Sequence, residues 1–142
     1  MKFLLLSVVL CAFVATGSAQ SKSPNVLRMQ QGLGSMLGLV KDLTLAVNDV
    51  MSDINVQVAL QNAKTAITGI KNLYATYGTT NSSSVPLAQR TKMQNALKTF
   101  QTNITNLETT LGQFPLSPAN IEAALKAVHN SFLALGGSIV PL

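Results

Sequence analysis

The chain has 142 residues, with 10 Lys and Arg against 5 Asp and Glu, one His, one Cys and no Trp. So few nucleophiles, bases and ligands leave little for catalysis, and a closed zinc site, which needs four Cys, His or carboxylate ligands together, is close to excluded. The basic residues are scattered, only Arg90 and Lys92 lying close together, whereas a nucleic-acid footprint clusters them on one face among aromatics.

The first residues read as a secretory signal. Met1-Lys2 gives a positive start, Phe3 to Val14 is an uncharged apolar run, and Thr16-Gly17-Ser18-Ala19 offers small residues for cleavage before Gln20. The run is too short to span a bilayer. The expected organisation is therefore a signal over 1–19 and one domain over 20–142, delivered outside the cell with no transmembrane segment. Cys11 and Lys2 would leave with the signal. The mature chain then forms no disulfide, keeps a net charge of about +4 by this count, and must hold its core by packing alone.

Hydrophobic spacing predicts four helices. Ser23-Pro24 reads as a cap followed by Pro at the first helical position. Val26, Met29, Leu33, Met36, Val40, Leu43, Val47, Val50 and Ile54 then recur in steps of three and four, widened by Leu37, Leu39, Leu45 and Met51. The rhythm slips at Asp53-Ile54-Asn55, which predicts a break capped by Asn55. It restarts through Val56, Leu60, Ala63, Ile67, Ile70, Tyr74 and Tyr77. Gly78 to Ser84 reads as a loop. Ser84-Val85-Pro86 opens a third helix with Met93, Leu97, Phe100, Ile104, Leu107, Leu111 and Phe114 on its stripe, closed by Pro115. Ser117-Pro118 repeats the cap, Ile121, Leu125, Val128, Phe132 and Leu135 form the last stripe, and Gly136-Gly137 is expected to end it. The fold class is all-α, an up-and-down bundle of about four amphipathic helices without disulfides.

No nucleophile elbow, phosphate loop or dinucleotide fingerprint occurs, and Gly32-Leu33-Gly34-Ser35 lies inside a helical stripe. His129 is expected at the edge of the fourth stripe, as a boundary or surface residue. Asp42, Asp49 and Asp53 read as a solvated face. Gly32, Gly34 and Gly38 each weaken the first helix, and read either as sites of close helix packing or as a soft segment. Met29, Met36, Met51 and Met93 read as core that adapts its shape. Two glycosylation sequons begin at Asn81, in the loop, and Asn103, in the third helix. No catalytic residue, metal or cofactor is expected.

The Leu43-Thr44-Leu45-Ala46-Val47-Asn48 segment, the Ala63-Lys64-Thr65-Ala66-Ile67 stretch, the Thr/Asn-rich helix ending Leu111-Gly112-Gln113-Phe114 and the close near Val140-Pro141 together resemble the fungal hydrophobic surface-binding protein A family. That family is related to antigenic cell-wall galactomannoproteins, and the resemblance runs roughly from Val26 to Pro141. It implies an exported protein that adsorbs to hydrophobic surfaces. Relatives are associated with bringing secreted esterase- or cutinase-type enzymes to solid substrates, and some bind fatty acid within the bundle. The chain lacks the Ser/Thr-rich extension and anchor tail of wall-bound relatives, which favours release over attachment.

The expectation is a secreted, non-catalytic protein that binds apolar surfaces or lipids through helix stripes. Met36, Leu37, Val40, Phe100, Ile104 and Phe132 are the contact candidates. Two alternatives stay open: an enclosed carrier of a fatty acid or similar apolar ligand, and a glycosylated structural or antigenic cell-wall protein.

Overall fold

In a computed structural model the described residues are 24–77 and 85–142, and the side chains of 75 and 76 are not among them. The expected signal over 1–19, Ser23, and the 78–84 stretch expected as a loop, with Asn81 and Ser84, lie outside. The described residues form four helices, α1 (Pro24–Met51), α2 (Val56–Leu73), α3 (Leu87–Leu111) and α4 (Pro118–Ile139), with a 3₁₀ turn over Tyr74–Tyr77 after α2.

Each helix buries most of the stripe its sequence predicts; Ile54, beyond the end of α1, is 52% exposed instead. Val26, Met29, Leu33, Met36, Val40, Leu43, Val47 and Val50 of α1 meet Met93, Leu97, Phe100, Ile104, Leu107 and Leu111 of α3 and the whole predicted stripe of α4 in one core. Removing a large apolar side chain from water contributes about 1.5–3 kcal/mol, and this core supplies that many times over without a covalent staple. α2 contributes mostly small residues, Ala59, Ala63 and Ala66, beside Ile67 and Ile70. Its place close to α1 follows from Gly69, where an added Cβ would stand 3.1 Å from the δ-carbons of Leu39. On the Thr-rich outer faces, hydroxyls such as those of Thr65, Thr68, Thr99, Thr102 and Thr109 donate to the carbonyl four residues back, which satisfies them within the helix at a small cost to it.

The connectivity is up-and-down. Gln30 near the start of α1 donates to the carbonyls of Ile139 and Val140 at the end of α4, and Tyr74 beyond α2 meets Phe100 in the middle of α3. The α1–α2 and α3–α4 turns therefore share one end of the bundle. α1 packs intimately on α2 and α3 on α4, while the α2–α3 seam is sparse. The molecule is two tight hairpins joined well along α1–α4 and loosely along α2–α3.

Helix ends depart from expectation in four places. The break at 52–55 is present, but Asn55 makes no side-chain cap; it sits in the left-handed region at φ 43°. Asp53, at φ 58°, is the left-handed residue that closes α1, with Ile54 N–H donating to Asp49 and Asp53 N–H to Val50. α3 begins after Pro86, which takes the cap position itself. That helix also stops at Leu111, so Phe114 leaves the stripe and stands 70% exposed. Gly136-Gly137 does not end α4, which continues to Ile139. Burial of Ile139 and the two bonds from Gln30 to terminal carbonyls outweigh the glycine pair. Ser117 caps α4 as expected, accepting from the Asn120 N–H.

Candidate functional site

Five of the six contact candidates face inward. Met36, Val40, Phe100, Ile104 and Phe132 have no exposed surface, and the Phe100 and Phe132 rings lie 5.6 Å apart at 39°. Leu37 is half-buried at the edge of this cluster. The structure thus brings the candidates together as the centre of the core and leaves none of the five on the outside.

Of the large apolar side chains that face solvent, the stripes name Phe114 and Ile54, as buried positions, and do not name Val58 or Leu87. Phe114 (70% exposed), Val58 (59%) and Ile54 (52%) stand at the end that carries both turns. The signals for them were present: Val58 is out of register with Val56, Leu60 and Ala63, and Phe114 follows Gly112 and precedes Pro115, a helix-stop pattern. From Phe114 a groove of about 240 Å³ runs along the α2–α3 seam, floored by Leu60, Ile67 and Leu111 and rimmed by Gln57, Gln61, Lys64 and Glu108. At its far end Lys71 Nζ donates to Glu108 Oε1 at 2.6 Å, joining α2 to α3. Both side chains are more than a third exposed, so the pair holds the seam weakly.

Behind that ion pair lie the two tyrosines of the 3₁₀ turn. Tyr74 packs edge-on against Phe100 at 6.4 Å, and Tyr77 is 1% exposed. In a 3₁₀ turn side chains three apart fall on the same side. Neither hydroxyl has a hydrogen-bond partner among the described residues, although both are buried. An unsatisfied buried hydroxyl costs about 1–3 kcal/mol. Burial, and secondarily the Glu108 charge, pushes the Tyr74 phenol up to about 12; burial alone pushes Tyr77 further. Both are neutral donors at any physiological pH.

The remaining polar candidates fall as follows. His129 is not at the surface: it is 2% exposed, and its Nε2 lies 2.8 Å from Thr44 Oγ1. Thr44 gives its one proton to the Val40 carbonyl at 2.8 Å, so its oxygen accepts from Nε2–H of His129. The residue ties α4 to α1. Asp42, Asp49 and Asp53 are exposed, and among the described residues no group of acidic, His or Cys side chains gathers to hold a metal. Asn103 is half-buried and its amide donates to the Ala127 carbonyl of α4, a bond that attached sugar would disrupt; Asn81 lies outside the described residues. Gly34 and Gly38 would meet nothing if a Cβ were added, so close packing is not their role. No described helix is long and apolar enough to cross a membrane.

A sparse apolar seam with one exposed aromatic end can hold an aliphatic chain or lie against an apolar surface. It offers no assembled nucleophile, base or metal. Compared with known proteins, the chain matches no family model, no curated protein and no solved structure.

Proposed function

We propose that this chain is a secreted, non-catalytic protein that binds apolar surfaces or lipids, with recruitment of a secreted esterase- or cutinase-type enzyme as the downstream role. What carries the reading is exposed Phe114 on the lining of the apolar α2–α3 groove, with Val58 and Ile54 exposed toward the same end of the bundle. Large apolar side chains held in water together at one end of the bundle have a partner to gain, although Leu87 and Leu27 are exposed toward the other end as well. The stripe residues named from sequence support adsorption only indirectly, by keeping the bundle folded around that end.

The test is depletion of the protein from solution by wax or polyester particles, beside a lysozyme control of similar basicity and at raised salt. Strong, salt-resistant depletion is expected. Val58→Ser with Phe114→Ser should weaken it by about tenfold or more, since full burial of each is worth about 1.5–3 kcal/mol, while helicity is kept. Depletion no better than the control overturns the reading.

The alternative, an enclosed carrier, would require the packed cluster of Met36, Val40, Phe100, Ile104 and Phe132 to open around its ligand. It predicts saturable one-to-one binding of a fatty acid, abolished by Val40→Trp.

A further inference from the structure

The hydroxyls of Tyr74 and Tyr77, without a partner among the described residues, are not used by surface adsorption, and both residues follow α2 beyond the stretch that lines the groove. Three features converge on this part of the seam. The groove runs along α2 from Gln57 to Ile67, about 15 Å at the helical rise. The Lys71–Glu108 pair closes its inner end. On the next turn after Lys71, Tyr74 carries a buried hydroxyl with no partner among the described residues, and Tyr77 carries another one 3₁₀ turn later in the chain.

We propose that the α2–α3 seam binds one linear aliphatic ester, its alkyl chain in the groove over Leu60, Ile67 and Leu111 and its carbonyl oxygen accepting from the tyrosine hydroxyls behind the Lys71–Glu108 clasp. The inference rests on the apolar-binding reading and names its ligand class. The head must be an acceptor, because the two phenols bring donors that lack acceptors. An uncharged head suits the site: the nearby ammonium, Lys71, is already paired with Glu108 at 2.6 Å, so a carboxylate head would be desolvated with no free cation of the clasp to meet it. The clasp suits a gate, since an ion pair exposed on both sides exchanges with water at small cost. With an ester carbonyl in place the buried hydroxyls lose their desolvation penalty, which gives the head its preference over a bare chain.

The test uses the full secreted chain and three ligands that share one alkyl chain: methyl dodecanoate, dodecane and dodecanoate. Each competes with a fluorescent apolar probe. The ester is expected to bind about tenfold more tightly than the alkane, the net effect of a hydrogen bond that rescues a buried donor, and more tightly than the carboxylate. Tyr74→Phe with Tyr77→Phe should bring the ester down to the affinity of the alkane and leave the alkane unchanged, with a melting temperature no lower than that of the parent. A structural role alone would lower the melting temperature without erasing the ester's advantage. Equal binding of ester and alkane by the parent, tighter binding of the carboxylate, or discrimination that survives in the double variant overturns the proposal. If neither ester nor alkane binds while particles still deplete the protein, the seam site falls and surface adsorption stands. If particles do not deplete it either, both fall.

Discussion

At the scale of single residues, the polar side chains inside this bundle decide how it responds to substitution. His129 and Thr44 satisfy each other across the α1–α4 contact, 85 positions apart in sequence. Thr44→Val removes the acceptor and leaves a buried N–H unpaired, so urea unfolding followed by circular dichroism should show a loss of about 1–3 kcal/mol. Adding His129→Leu should restore most of it, because two apolar groups leave nothing unsatisfied; a double variant no better than the single one would show that the pair is not the cause. His129 reads from sequence as an edge position of the α4 stripe, although its steps of four from Leu125 and three to Phe132 are also those of a buried position. What the sequence lacked was its partner, a threonine on another helix, and so the surface reading was the natural one. The tyrosines give a pH prediction. The Tyr74 phenol is raised from 10.0 to about 12, so below pH 10 folded and unfolded chains both keep the proton and the stability contribution is complete. Between 10 and about 12 the unfolded chain releases a proton that the folded chain retains, and stability falls as pH rises. With two Tyr and no Trp in the chain, phenolate absorbance should rise late and together with loss of helix; early ionisation in a still helical protein would count against buried hydroxyls.

At the scale of elements, the stripes were legible and the ends were not. Alternating steps of three and four fix which face of α1, α3 and α4 is buried, because a helix has no other way to hide those side chains. Ends depend on what waits beyond them: Gln30 lets α4 run through two glycines, and Asp53 closes α1 in the left-handed region that glycine normally takes. The glycines divide on the same principle. Gly34 and Gly38 face open space, so Gly34→Ala and Gly38→Ala should each raise stability by about 0.5–1 kcal/mol through helix propensity alone. Gly69→Ala earns the same propensity but drives Leu39 aside, and should gain less than either. Chemical denaturation of the three variants gives the ranking. A Gly69 variant at the top of it would mean that α2 does not sit as closely on α1 as the packing around Leu39 indicates.

At the scale of the whole molecule, the arrangement of two tight hairpins could not be read from hydrophobic spacing. Four stripes predict a bundle, but every neighbouring pair of helices looks equally good from the periodicity. The weak α2–α3 seam arises because α2 is short and brings mostly alanines to the core, while its larger Leu60 lines the groove outside. The candidate site shares that origin: exposed Phe114, the groove and the tyrosines belong to the places where the stripe ends or loses register. Surface adsorption and ester binding therefore make separate demands on the same fold. The end patch needs no movement, whereas a head group reaches Tyr74 only when α2 and α3 part at the Lys71–Glu108 clasp. A zero-length carbodiimide can turn that 2.6 Å ion pair into an amide, and peptide mapping identifies the fraction linked between Lys71 and Glu108. The linked protein should keep its depletion by wax particles and lose its binding of methyl dodecanoate. Loss of both would mean that adsorption also requires the hairpins to open, and would move the contact surface from the exposed end to the inward faces of Phe100, Ile104 and Phe132. Retention of both would mean that the ester never passes the clasp, which the tyrosine assignment does not survive.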